Sequence, residues 1–391
     1  VPTEPEPRKI SAHDIRTAQV VVRCRDLPAT LEGLTALGFA IDLVMPADAP
    51  TRATVSGYGV TLSLEQAGDR EPAADSNDPV TLRLLCHNEI PCDAGVTRDI
   101  DGLRIEFAPA SPAIELPEPR TQFVLTHAGD QPWHVGRAGM LYRDLIPGRL
   151  GGRFIASHIR IEHAGEVPDY VHYHRIRFQA IYCRSGRARL VYEDQGEPFL
   201  FSAGDCVLQP PEIRHRVLEA SAGFEVIEIG CPAVHETHAD RRLALPTGRT
   251  LPERRYGAQR FVRHIASVAS WAPWREAQAP GFEVRDTGIS VATERLASVR
   301  VVRSTQAGAS TATLSHAGEF LFYFVLHGEL ALHSQALGEH ELSAMDACVI
   351  PAGADFGLTV SDRFELLEVA LPAHNRADTR PERSVIGEMK V

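Results

Sequence analysis

The sequence holds no apolar run approaching the roughly 20 residues needed to span a bilayer, no block of Lys or Arg long enough to follow a phosphate backbone, and no C-x-x-C pair. These absences argue against a membrane-spanning helix, an electrostatic nucleic-acid surface and a thiolate zinc cluster. The formal net charge of −11 points the same way as regards nucleic acid. Seven cysteines, Cys24, Cys86, Cys92, Cys183, Cys206, Cys231 and Cys348, form an odd set without a disulfide framework, so buried free thiols are expected. Val1 to Arg8 is rich in Pro and Glu and lacks a basic start followed by an apolar core, which leaves no secretory signal there and makes the cytoplasm the expected location.

What is present is an ordinary globular composition, 44% hydrophobic and 23% charged over 391 residues, enough for two or three domains. Pro-rich stretches at Ala108 to Arg120 and Leu245 to Arg254 read as linkers. They divide the chain into three segments, expected as residues 17–115, 116–245 and 246–391.

The first segment predicts a strand at Gln19 to Cys24, a helix at Pro28 to Leu37, and strands around Ala40 to Val44, Ala53 to Val55, Val60 to Glu65 and Leu103 to Phe107. This β-α-β-β-β order resembles one module of the glyoxalase/bleomycin-resistance family. That family takes metal ligands from its first and last strands, where this chain has Gln19 and Glu106. Because the family normally builds a site from two modules, a structural role is expected here.

From about Tyr142 onward, short strands separated by turn signals predict an all-β barrel or sandwich. Within it, Gly165 to Gly186 reads GEVPDYVHYHRIRFQAIYCRSG, with His172 and His174 two apart and Gln179 five further on. On a strand, residues i and i+2 share a face, so both imidazoles can enter one barrel. Gly204 to His215, GDCVLQPPEIRH, follows about thirty residues later and ends on a third imidazole. Three imidazoles and an amide oxygen can converge on one metal ion.

The two stretches resemble the paired motifs of the cupin family, one built on Gly, His-x-His, Glu and Gly, the other on Gly, Pro, Gly, His and Asn. Spacing agrees: four residues separate His174 from Gln179, six separate Gln179 from Gly186, five separate Gly204 from Pro210 and four separate Pro210 from His215. Departures are Gly165, one residue early, Gln179 in place of Glu, Glu212 in place of Gly and Glu219 in place of Asn. A neutral Gln leaves a divalent ion its full charge and strengthens it as a Lewis acid.

An internal comparison comes from Gly308 to Gly328, where the matching positions hold Leu314, His316 and Leu321, and from MDACVIPAGADF, where Phe356 stands in place of the last histidine. Only His316 survives, so the second barrel is expected to be structural and without metal.

The resemblance therefore implies a mainly β chain: two cupin-type jelly-roll barrels behind a glyoxalase-like α+β module, with one divalent metal ion on His172, His174, Gln179 and His215. Iron(II) is favoured, with Zn(II), Mn(II) or Ni(II) as alternatives. The first expectation is an iron dioxygenase acting on a small enol or phenol, and the alternative is a non-redox isomerase, lyase or cyclase. A non-catalytic binding role is a third, weaker reading, because storage gives no reason to keep four ligands. A small-molecule substrate and a homodimer are expected. Arg160, Arg177, Tyr182, Tyr192, Glu225 and Glu228 are candidate acid, base or anion-binding groups, of which alternation allows at most one of the two glutamates to face inward. The run His235 to His238 reads as a loop.

Overall fold

The computed structural model describes residues 12–67, 80–87, 97–100 and 103–373. Asp26 opens the helix Leu27–Ala36 by accepting a 2.9 Å hydrogen bond from the Ala29 amide, and Pro28 occupies the first turn, where its missing N–H is not needed. Leu27, Leu31 and Leu34 pack this helix against a sheet through Val22, Val44, Val55 and Leu64. Arg52–Gly57 and Val60–Gln66 form a hairpin whose two-residue turn, Tyr58 and Gly59, takes φ values of 53° and 78°, the left-handed pair that matches strand twist. Ile15–Cys24 runs between Val60–Gln66 and Val80–Cys86, the latter a strand that the sequence reading does not include.

Behind this module stand two barrels, each made of facing antiparallel sheets, as the motif resemblance implies. In the first, one face carries Phe199–Ser202, Arg187–Tyr192, His215–Ala220, His172–Arg175 and Glu236–Ala239 in spatial order. The other carries Val262–His264, Cys206–Leu208, Phe178–Ser185, Phe224–Cys231, Ile155–Ile161, Leu141–Asp144 and His134–Val135. The second barrel repeats the plan around Phe320–His327 and Glu365–Leu371.

Strand alternation divides the residues of Phe178–Ser185 between two interiors. Phe178, Ala180 and Tyr182 join Phe320, Phe322 and Phe324 in a core shared by the barrels, where Phe154 stacks on Phe320 at 4.1 Å. Ile181 and Cys183 face the first barrel's own interior. Each barrel also borrows a strand: Val124–Thr126 pairs with Ala347–Val349 of the second, and Val262–His264 pairs with Cys206–Leu208 of the first.

The glycines that close the first motif do the same work in both barrels. Gly186 and Gly328 take φ values of 72° and 78°, and a Cβ on either would lie 2.9 Å or 3.1 Å from the Cα of Phe224 or Phe364. Neither position has room for a side chain.

One correction concerns the run after Pro232: Glu236–Ala239 is a strand rather than a loop. It pairs on one side with His172–Arg175 and on the other with Leu43 and Val44, so the N-terminal sheet and the first barrel's sheet are continuous. Cys24, Cys183, Cys206, Cys231 and Cys348 are free and buried, as expected, Cys86 is buried, and Cys92 lies outside the described residues. No helix among the described residues is long and apolar enough to cross a membrane.

Candidate metal centre

His172 and His215 are direct partners on neighbouring antiparallel strands, and His174 lies two residues along the same face. All three are buried. Their ring centroids are 4.1 Å apart for His172 and His215, 5.2 Å for His172 and His174, and 5.3 Å for His174 and His215. One nitrogen from each lies within 4.8 Å of the others, a spacing that one metal ion can bridge.

Hydrogen bonding selects which nitrogens those are. Nδ1 of His172 donates to the Tyr170 carbonyl at 2.8 Å, Nδ1 of His215 donates to the Ile213 carbonyl at 3.0 Å, and Nδ1 of His174 lies 2.9 Å from the Thr237 hydroxyl. The two carbonyls hold the protons of His172 and His215 on Nδ1 and leave their Nε2 lone pairs for a metal, and the Thr237 contact at Nδ1 leaves the Nε2 of His174 as its other nitrogen. Burial pushes His172 and His174 well below the usual imidazole range and His215 down to about 4. The rings are therefore neutral at physiological pH, the form that ligates.

Gln179 follows the inward alternation of its strand and is buried, with no hydrogen-bond partner for either its oxygen or its nitrogen. An orphaned buried carboxamide is expensive unless something absent from the bare chain satisfies it, and a cation on Oε1 would do so. Its amide group lies close enough to Glu228 to lower that carboxyl, and Oε1 is left without a partner. The donor set of three neutral imidazoles and an unpartnered amide thus fits a divalent metal ion.

Of the two glutamates, Glu228 faces the cavity and Glu225 faces away, into a cluster with His158 at 3.0 Å and Arg184 at 2.6 Å. Burial drives the Glu228 carboxyl up to about 6, against the opposing influence of Gln179 and Arg137. Tyr192 lines the cavity and stacks on His215 at 5.4 Å. The other candidates point elsewhere: Tyr182 into the shared core, Arg177 to Glu319 at 2.7 Å, and Arg160 to Glu225 at 2.8 Å.

Three residues missed as site groups complete the wall. Asp48, from the N-terminal module, lines the cavity and pairs with Arg149. His235 lines it beside His174, with ring centroids 5.5 Å apart and its Nδ1 donating to the Pro232 carbonyl at 3.1 Å. Arg137 sits on a short turn ahead of Leu141–Asp144 and places Nη2 3.0 Å from Nε2 of His172. The His235-Glu-Thr-His238 run was a visible signal for His235; nothing in the motif spacing pointed to Arg137 or Asp48. The rest of the wall mixes the polar Ser157, Gln209 and Arg216 with apolar residues that include Ile155, Ile159, Leu190 and Phe201.

The other conceivable sites differ. In the second barrel Leu314 bridges Phe356 inside an apolar core, and Nε2 of His316 donates to the Ile350 carbonyl at 2.8 Å. In the N-terminal module Gln19 and Glu106 border one cleft, but the Arg83 guanidinium lies 3.0 Å from both Glu106 and Glu65. A fixed cation already occupies the place where a metal would need that carboxylate.

No protein-family model matches the sequence, and no curated protein matches it. Among solved structures, the oxalate decarboxylase of Lactobacillus farciminis, in a formate complex, is 14% identical over 66% of this chain and 89% of that one, with a TM-score of 0.49. The Bacillus subtilis oxalate decarboxylase is 11% identical over 68% and 78%, with a TM-score of 0.45. The protein Ylba from E. coli is 12% identical over 67% and 96%, with a TM-score of 0.46. A likeness of this size carries nothing about chemistry.

Proposed function

We propose that the chain is a metal-dependent enzyme acting on a small organic molecule inside the first barrel, with one divalent ion held by His172, His174 and His215 and by Gln179 as the fourth ligand. The observation that supports this most directly is that each Nδ1 is held by a hydrogen-bonding partner while one nitrogen of each ring lies within 4.8 Å of the others, the Nε2 of His172 being shared with Arg137. Such a metal, when bound, would supply Lewis acidity for an oxyanion or enolate.

The chain's own residues supply the rest. The apolar wall excludes water and holds an organic body, which strengthens every polar interaction at the polar end. Glu228 is the cavity carboxyl without an ion-pair partner among the described residues, Asp48 being tied to Arg149. It is placed to take a proton from a carbon or oxygen acid and to return it.

Between the two chemistries, an inward carboxyl beside the ligand set favours the non-redox one, in which proton transfer accompanies enolate formation. Iron-dependent oxygen chemistry on an enol or phenol is the alternative, favoured by the three-imidazole set with open positions. The test is elemental analysis of protein purified without added metal, followed by assays of enolisable acids with and without oxygen. About one metal per chain and oxygen-independent turnover are expected. Oxygen consumption coupled to substrate loss would move the assignment to a dioxygenase, and metal-free protein from a metal-replete culture would remove the metal reading.

A further inference from the structure

Arg137 occupies the lone pair that a metal would need. Its Nη2 lies 3.0 Å from Nε2 of His172, whose Nδ1 proton is already committed to the Tyr170 carbonyl, so Nε2 is the acceptor in this contact. Nη1 is anchored 2.5 Å from Asp169, a buried carboxylate that also accepts from the Tyr170 and Val217 amides. Nε is buried without a partner. The guanidinium is thus fixed at one end, and at the other it holds a contact that a metal on His172 must displace, because one lone pair cannot serve both.

We infer that Arg137 is the anion-recognising residue of the cavity, that the substrate is a molecule with a single anionic head and an apolar body, and that Arg137 becomes available to that head when metal takes His172. The inference rests on the metal reading above and adds a substrate class and an order of events to it. Among the charged groups of the wall, Arg137 is paired with Asp169, Asp48 with Arg149, which Asp144 shares, and Arg216 lies 3.6 Å from the exposed Glu166. A divalent ion on the three imidazoles would add positive charge to this set, which an anionic head offsets. Beyond that head, Ile159, Ile181, Leu190, Phe201 and Phe224 form an apolar part of the wall. Metal and anion are accordingly coupled, each raising the other's affinity by the same factor.

The experiment uses the full chain stripped with chelator, titrated calorimetrically with Zn(II) and with benzoate, each alone and in the presence of the other, and with benzamide as a neutral control. In the wild type, benzoate should bind about tenfold tighter with Zn(II) present, and Zn(II) should gain the same factor from benzoate. Arg137→Gln should bind Zn(II) more tightly on its own, lose about tenfold in benzoate affinity when loaded, and leave benzamide unchanged. Arg137→Lys retains the charge and the Asp169 pair but cannot span to both partners, so it should gain Zn(II) affinity and keep part of the benzoate binding. Equal benzoate affinity in Zn-loaded wild type and folded Arg137→Gln overturns the inference, as does weaker Zn(II) binding by that variant. Should Arg137→Gln fail to fold, Arg137→Lys and the wild-type coupling decide, and absence of coupling overturns it. A wild type that takes up no Zn(II) removes the metal reading itself; one that binds Zn(II) through His172 yet holds benzoate without regard to Arg137 removes only the inference.

Discussion

The Thr237 hydroxyl lies 2.9 Å from Nδ1 of His174, and the same residue pairs through its backbone with Val44 of the N-terminal sheet. A hydrogen bond to a candidate ligand is therefore built on a strand paired with the barrel sheet on one side and the N-terminal sheet on the other. Thr237→Val keeps shape and burial but removes the hydroxyl that holds the His174 ring, so metal affinity should fall by about 10- to 100-fold. Competition against a chromogenic chelator measures it. Unchanged affinity would show that the strand, not the hydroxyl, orients the ring.

His172→Ala and His215→Ala should each abolish stoichiometric metal binding while the chain still melts cooperatively, whereas His316→Ala should leave metal content at its parental value. His316 bonds to a backbone carbonyl inside an apolar core and has no neighbouring ligand set among the described residues. Metal analysis of the three variants decides this, and loss of metal from His316→Ala would place the centre in the wrong barrel.

Gln179→Ala should weaken metal binding, and Gln179→Glu should strengthen it while reducing turnover, since a carboxylate binds a divalent ion better but lowers its Lewis acidity. The nearby Glu228 adds a second consequence. Without metal, two carboxyls would share one buried site, so the metal-free Gln179→Glu protein should melt at a lower temperature than the parent and recover on adding Zn(II). Identical metal affinity in Gln179→Ala and the parent would remove Gln179 from the ligand set.

Glu225 yields a pH prediction. Burial raises its carboxyl, but the hydrogen bond with His158 and the charges of Arg184 and Arg160 outweigh this and hold it down at about 2. A carboxyl depressed in the folded state contributes stability above its unfolded value and loses it as pH falls toward the folded one. The stability gap between the parent and Glu225→Gln should be constant above pH 5 and shrink between about pH 4.5 and 2. Discounted for solvent screening, the pH-dependent part is about 1–2 kcal/mol. Urea unfolding at stepped pH measures it; a gap that widens on acidification would reverse the sign assigned to this group.

Phe154 and Phe320 stack across the two barrels at 4.1 Å with ring planes 13° apart, both fully buried. Phe154→Ala should cost about 3–5 kcal/mol of unfolding free energy, the range for a large aromatic truncated in a packed core. A loss below 1 kcal/mol would mean that the barrels are held together elsewhere.

The sequence alone determined the parts of this protein that depend on local geometry. His172 and His174 share a face because strand side chains alternate, Gly186 and Gly328 are needed because a positive φ and a backbone contact leave no space for Cβ, and the second barrel's Leu314 and Phe356 fill the place of ligands with apolar bulk. The tertiary structure decided what depends on contacts between residues distant along the chain. Alternation separated Glu225 from Glu228, but only the pairing of their strand with Phe178–Ser185 and Ile155–Ile161 set which of the two faces the cavity. Asp48, more than a hundred residues ahead of the histidines, reaches the site because Glu236–Ala239 joins the N-terminal sheet to the barrel. Arg137 reaches His172 because its turn is held against the barrel by the strand that follows it. Local periodicity repeats within a few residues and leaves its mark in composition, whereas the approach of two distant segments is set by the summed packing of everything between them, and no single stretch of sequence records it.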